Sequence, residues 1–167
     1  LDKTKKTVAV YYLSRAYREQ VGDIAARLRA RGYNVIILIG EVCHDQYEQQ
    51  ENVFYAGGNL AKYFTFVDLF LCVTLSETLP IPAKKVIFLH DIHDSPLGDT
   101  KEFARLCRLH DYVVVPSRYL TDRLQTVLSQ AQPTKKVCLI PGGYVKLDRN
   151  LEYFNAYRGQ VDSLIYA

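Results

Sequence analysis

The chain contains no methionine and no tryptophan, and its four cysteines include no closely spaced pair. Without a CxxC pair the sequence offers no zinc-type thiolate site, and scattered cysteines are typical of reduced, structural thiols in a cytoplasmic protein. The absence of methionine also means that residue 1 is not a natural start. We therefore expect a piece cut from a longer protein.

Long runs of one kind of residue are missing as well. No apolar stretch approaches the roughly 18 residues that a membrane-spanning helix needs, and the N-terminus lacks the apolar core of a signal peptide. No run of Lys and Arg is longer than two and the net charge is only +3, which argues against nucleic acid as a partner. The 167 residues, 49% of them hydrophobic, suffice for one globular domain with a sizeable core.

Short, unbroken apolar runs alternate along the chain with amphipathic segments. The runs predict strands at residues 6–13, 35–39, 53–55, 69–73, 86–89, 112–115 and 136–140. The amphipathic segments predict helices at 17–31, 60–66, 100–109, 118–129 and 147–157, with Gly32 as a C-cap and Ser117 and Asp148 as N-caps. Strands that are apolar throughout indicate a parallel sheet covered on both faces. The predicted fold is α/β, a Rossmann-like three-layer parallel sheet.

The run at 86–89 ends in the polar stretch HDIHDSPLGD, residues 90–99. Ligands of parallel α/β sheets bind at the carboxyl ends of strands, so this stretch is the first place to look for chemistry. A histidine titrates near neutrality and suits general-base work, and a neighbouring carboxylate can fix its tautomer. We predict His93 as the base, with Asp94 beside it. His90 continues the strand alternation and is interpreted as structural.

The same stretch leaves a metal site open as an alternative. Its two histidines, with Asp91 or Asp94, are ligand types that a transition metal accepts. The two histidines need a third and a fourth ligand, for which Asp91 or Asp94 would serve. Our prediction is that the chain uses no metal and no cofactor.

Other polar residues and glycines follow predicted strands at the same edge. An arginine can bind an anion, and a glycine pair after a strand lets backbone N–H groups cradle a phosphate. Surface arginines, a serine helix cap and a plain turn stay open as ordinary interpretations. The GxGxxG and GxxxxGK[ST] patterns are absent, so neither a dinucleotide site nor a P-loop is predicted. The candidate substrate-binding residues are Ser14, Arg15, Ser95, Ser117, Arg118, Gly142, Gly143 and Tyr144.

Three short motifs in the second half of the chain resemble a known family, the CDP-glycerol glycerophosphotransferases, which are transferases of the GT-B type. HDSPL at 93–97 resembles the HGTPL loop of that family, GYVKLD at 143–148 its GYPRxD turn, and LIYA at 164–167 its ILYA strand. The chain departs from the family pattern at Asp94, where the family has glycine, and at Val145, where it has proline.

The resemblance implies that residues 1–160 form a Rossmann-like, acceptor-side domain and that residues 161–167 begin a missing C-terminal, donor-binding domain. In such enzymes a glycerophosphate or sugar moves from a nucleotide-activated donor to a hydroxyl of a polyol or saccharide acceptor in bacterial cell-wall or capsule synthesis. The base role falls by position on His93. The resemblance implies a cytoplasmic enzyme with a peripheral contact to the inner face of the plasma membrane, and a fragment that is inactive alone.

Two other functions stay open. One is a GT-B glycosyltransferase that uses a nucleotide-sugar donor, which differs in the donor and not in the mechanism. The other belongs to a different class, a non-catalytic α/β binding or regulatory domain in which the histidines are structural.

Overall fold

The computed structural model describes residues 1–12, 23–40, 52–55, 62–73, 81–89, 100–130, 135–143 and 145–157. Within these ranges the chain forms seven strands and four helices. The strands are β1 (Thr7–Tyr12), β2 (Asn34–Ile39), β3 (Val53–Tyr55), β4 (Leu69–Cys72), β5 (Lys84–Phe88), β6 (Tyr112–Val115) and β7 (Cys138–Pro141). The helices are α1 (Ile24–Ala30), α2 (Thr100–Cys107), α3 (Arg118–Gln130) and α4 (Val145–Ala156).

All the strands join one seven-stranded sheet in the order β3-β2-β1-β4-β5-β6-β7, and every neighbouring pair is parallel. The predicted α/β, Rossmann-like parallel sheet is therefore confirmed. From β1 the chain first builds outward through β2 and β3, then returns to place β4 on the other side of β1. This reversal creates a topological switch point between β1 and β4.

The strands β1, β2 and β4 are buried on both faces, which explains why their sequences are almost entirely apolar. Alternate residues of one strand enter different cores: Phe70 belongs to the core on one face and Leu71 to the core on the other. The first core contains Phe103 of α2 and Leu124 of α3, and the second contains Ala25 of α1. The helices thus cover the sheet from both sides, as a three-layer fold requires.

The end of α1 shows how local sequence sets an element boundary. Gly32 has a φ of +87°, a left-handed conformation that glycine adopts without steric cost. The N–H of Gly32 donates to the carbonyl of Arg29 at 2.9 Å, and that of Tyr33 donates to Leu28 at 3.2 Å. These two bonds form a Schellman motif, so the predicted C-cap at Gly32 is confirmed.

Two predicted helix features differ in the structure. In the described part of the helix expected at 60–66, residues 62–63 are 3₁₀-helical, and residues 64–67 make a turn in which the Val67 N–H donates to the carbonyl of Phe64 at 3.3 Å. Aromatic residues have low helix propensity, and here the Phe64 and Phe66 rings contact each other at 5.8 Å. Helix α4 begins at Val145, so Asp148 lies within its first turn and is not the N-cap.

In the part of the chain that is described, none of the helices combines the length and the apolar character that crossing a membrane would demand.

Candidate functional site

The carboxyl edge of the sheet is formed by strands that end in step. Cys72 of β4 is level with Ile87 of β5, and Phe88 of β5 is level with Val114 of β6. Val115, at the end of β6, is level with Pro141 of β7. Because the strands are parallel and in register, the segments that follow them start from one edge.

The predicted catalytic stretch follows one of these central strands. Strand β5 lies between β4 and β6, and Leu89, its last described neighbour, is buried and bonded through its N–H to the carbonyl of Val114 at 3.0 Å. The chain is therefore fixed up to the residue before HDIHDSPLGD. Six of the predicted site residues lie outside the described residues, and their roles stay predictions. They are Ser14, Arg15, His93, Asp94, Ser95 and Tyr144.

Ser117 and Arg118 lie at this carboxyl edge, where α3 starts. The Oγ of Ser117 accepts the N–H of Leu120 at 3.2 Å, and the Ser117 carbonyl accepts the hydroxyl of Thr121 at 2.9 Å. The predicted N-cap is confirmed, since a serine oxygen here satisfies an orphan backbone donor of the first turn. Arg118, the first helical residue, is exposed at the same edge.

Gly142 and Gly143 also follow a strand at this edge. The structure explains why each position is occupied by glycine. A Cβ on Gly142 would clash with Cγ1 of Val114. The Gly142 N–H donates to the carbonyl of Val115 at 3.1 Å, so it extends the sheet and is not free for a phosphate. Gly143 has a φ of +76°, which favours glycine whatever the space around it.

At the amino edge of the sheet, an aspartate before a strand bonds to a neighbouring strand and to a lysine, and no sequence motif predicted this arrangement. Asp68 directly precedes β4, and its N–H donates to the carbonyl of Thr7 in β1 at 2.9 Å. Its Oδ2 accepts the Thr7 N–H at 2.8 Å, and its Oδ1 accepts from the ammonium of Lys6 at 2.8 Å. Those bonds, the lysine contact first, hold the pKa of the Asp68 carboxyl below its ordinary value.

Asp111 repeats this arrangement before β6. Its N–H donates to the carbonyl of Lys85 at 2.9 Å and its Oδ2 accepts the Lys85 N–H at 2.9 Å. Its Oδ1 contacts Lys84 at 3.2 Å and Lys135 at 3.3 Å. Burial opposes ionisation, but the Lys85 N–H and the two lysines outweigh it and lower the pKa of Asp111. An aspartate just before an apolar run was the sequence signal.

Beside Asp111, a fully buried histidine contacts a buried cysteine. The Nδ1 of His110 lies 3.1 Å from the carbonyl of Leu106, and its Nε2 lies 3.4 Å from Sγ of Cys72. A carbonyl only accepts, so Nδ1 carries the proton and Nε2 accepts from the thiol. Burial, ahead of any charge, lowers the pKa of His110 to about 4. This histidine is therefore neutral near pH 7 and acts as a structural group.

The described cysteines behave as separate thiols. Cys72 and Cys107 are buried and Cys138 is exposed, and no disulfide joins these three described cysteines. Burial raises the pKa of Cys107 to about 12, so this thiol is not a nucleophile near neutral pH. Over the described ranges, no group of three or more His, Cys, Asp or Glu side chains is placed to hold a metal ion.

Comparisons with known proteins add no family to these observations. The chain matches no protein-family model, and no curated protein matches it significantly.

Proposed function

We propose that this chain is the acceptor-side half of a GT-B transferase that moves a glycerophosphate or a sugar from a nucleotide-activated donor to an acceptor hydroxyl. The observation that carries the proposal is the position of β5. It is an interior strand of an all-parallel sheet and leads directly into HDIHDSPLGD at the carboxyl edge. That edge is where parallel α/β sheets bind ligands.

The chemistry proposed for this edge is general-base catalysis by His93. Its imidazole takes the proton of the acceptor hydroxyl as the oxygen attacks the donor, and the nucleotide leaves with the electrons of the broken bond. Asp94 is proposed to orient the imidazole, because a carboxylate on one ring nitrogen fixes the tautomer and raises the basicity of the other.

The strand order supports a ligand crevice close to the same stretch. The switch point lies between β1 and β4, and β5 is the next strand beyond β4. Ser14 and Arg15 follow β1, so they are proposed as acceptor or phosphate contacts beside the His93 stretch. Ser117 and Arg118 follow the neighbouring strand β6 and are proposed to complete the binding surface.

The wider setting is part of the proposal. The donor nucleotide would be held mainly by a C-terminal domain beyond this chain, and the product would be a bacterial cell-wall or capsule polymer. We place the enzyme in the cytoplasm, with a peripheral contact to the inner face of the plasma membrane. No cofactor is required for this mechanism.

The test is the variant His93→Ala in the complete protein, with transfer measured after the donor and acceptor have been found. Screening binding of CDP-, CMP-, UDP- and GDP-linked compounds identifies the donor and separates glycerophosphate from sugar transfer. Loss of the base should reduce the transfer rate about 100-fold or more, with the melting temperature little changed.

The matched control is His90→Gln, three residues away in the same stretch. It should keep most of the activity, because His90 is interpreted as structural. Activity of His93→Ala within a few fold of the parent would refute the base role, and failure of every activated donor to bind would favour a non-catalytic binding domain.

A further inference from the structure

The two aspartates at the amino edge match in position but differ in the charge around them. Oδ1 of Asp68 accepts one ammonium group, that of Lys6, at 2.8 Å. Oδ1 of Asp111 is shared by two, those of Lys84 at 3.2 Å and Lys135 at 3.3 Å. The negative charge of Asp68 is therefore balanced by one lysine, whereas Asp111 contacts two lysines and a net positive charge is left there.

The excess charge faces an open cavity of about 580 Å³ at this edge. Among the described residues, its charged lining groups are Lys84, Lys85, Lys135, Asp68 and Asp111. The carboxylate of Asp68 is already bonded to a lysine outside this lining. Among the described lining residues, three lysines therefore stand against one unbalanced carboxylate, that of Asp111, which is an excess of two positive charges.

The surroundings of Lys85, in the lining of the cavity, lower its pKa. Burial and then the nearby ammonium of Lys135 lower the pKa of this half-buried lysine. Both effects disfavour its charged form, and the attraction of Asp111 only partly offsets them. An anion in the cavity would stabilise all three ammonium groups at once.

We propose that this amino-edge cavity binds a phosphate dianion, either free phosphate or the phosphate group of a monoester. Lys84 and Lys135 touch the same carboxylate oxygen, so their nitrogens lie close enough for one tetrahedral oxyanion to accept from both. Two negative charges match the excess of two positive ones. The volume exceeds that of a phosphate ion and leaves room for the esterified group.

This site is separate from the proposed transferase site. Strand β5 begins at Lys84, at the cavity, and ends at Phe88, at the opposite edge of the sheet. A ligand here would lie at the edge of the sheet opposite to the end of β5, so phosphate binding and transferase activity are independent proposals.

The test is a titration of the 167-residue chain with inorganic phosphate and with methyl phosphate at constant ionic strength. At about pH 7.5 methyl phosphate is almost entirely the dianion, since the second pKa of a phosphate monoester is about 6. Backbone amide resonances are followed by NMR, with sodium chloride as the reference titration. We expect saturable shifts at Lys85 and Asp111 with phosphate and none with chloride. The absence of any saturable shift with either phosphate compound and with phosphatidic acid vesicles would overturn the proposal.

A double variant and a single control variant localise the binding. The pair Lys84→Met and Lys135→Met should weaken phosphate binding about tenfold or more, because two charge-assisted hydrogen bonds are lost. The control Lys62→Met, at an exposed lysine outside the lining of the cavity, should bind phosphate as the parent chain does. Equal losses in the double variant and in Lys62→Met would show non-specific attraction and overturn the site.

Asp111→Asn keeps the protein testable if the double variant folds poorly. It removes the one carboxylate that competes for the lysines and retains an oxygen for the Lys85 N–H, so phosphate should bind more tightly. A weaker affinity in a folded Asp111→Asn chain would contradict the site.

The source of the phosphate group is distinguished with vesicles. Phosphatidylcholine vesicles with phosphatidic acid present the same monoester on a surface, and pure phosphatidylcholine is the control. Binding to methyl phosphate in solution supports a soluble ligand. Binding only to phosphatidic acid vesicles, lost in the double lysine variant, supports a lipid headgroup at the same site.

Discussion

The two edges of the sheet are stabilised by different interactions. At the amino edge, Asp68 and Asp111 hold neighbouring strands through ionised carboxylates, and His110 lies buried beside the second of them. At the carboxyl edge, the described contacts that shape Ser117 and Gly142 are neutral: a hydroxyl on a backbone N–H, and a glycine against a valine. The amino edge should therefore respond to pH and salt, and substitutions at the carboxyl edge should not change that response.

The largest expected effect is acid destabilisation through His110. Its pKa is about 4 in the folded chain against 6.5 for an ordinary histidine. The unfolded chain takes up this proton first, so stability falls as pH drops from about 6.5 to about 4 and then levels off. The loss from this group is about 3 kcal/mol. Urea unfolding across that pH range measures it.

The variant His110→Gln isolates this contribution, since glutamine can still form hydrogen bonds and does not titrate. It should be less stable near pH 7 and show a shallower loss towards pH 4, by about the same 3 kcal/mol. Parallel pH profiles for the parent and His110→Gln would contradict the assignment. Asp68 and Asp111, whose pKa values are lowered, lose their stabilising charge only as pH falls further, through their folded pKa values.

At the carboxyl edge, the larger effect is expected for Gly142→Ala. The added methyl group meets Cγ1 of Val114, a branched side chain with little rotamer freedom, and such overpacking costs about 1–3 kcal/mol. The cost should be the same at pH 7 and pH 5, because no titratable group takes part. Thermal unfolding at both pH values checks this expectation.

Val114→Ala is the matched background for that test. It removes the methyl group that Gly142→Ala would meet, so in this background the glycine substitution should cost only a few tenths of a kcal/mol, and the two effects should couple strongly. If the two losses of stability simply add, the contact with Val114 is not the reason why position 142 requires glycine.

The smallest expected effect is that of Ser117→Ala, which removes the cap of α3. Loss of the acceptor for the Leu120 N–H should lower the free energy of unfolding by about 1 kcal/mol. Ser117→Asp restores a capping oxygen and should keep the parental stability. If Ser117 also contacts substrate, both variants of the complete protein should lose affinity for the acceptor, which separates the cap from the binding role.

Much of the fold follows from local pattern. The apolar runs located all seven described strands, with ends shifted by at most two residues, because strands buried on both faces have few polar positions. Gly32 and Ser117 marked a helix end and a helix start through their own backbone and hydroxyl chemistry. Of the helix predicted at 60–66, the described residues 62–63 are 3₁₀-helical and residues 64–66 are not helical, and the aromatic residues there contact each other and the core.

The candidate site is less determined by sequence. Its chemistry was inferred from residue types and from a resemblance in three short motifs, and β5 is now placed among the central strands. Ser117, Arg118, Gly142 and Gly143 lie at the carboxyl edge, as the order of strand and turn predicts. The local sequence did not reveal that Gly142 packs against Val114, because Val114 belongs to another strand.

The sequence by itself determined that this is a parallel α/β domain, where its strands run and which stretch follows β5. Only the tertiary structure decided the strand order, the switch point and the amino edge. Asp68 and Thr7 are 61 residues apart, and Cys72 and His110 are 38 apart. Contacts over such separations depend on which strands become neighbours and in what register, and local periodicity does not specify either.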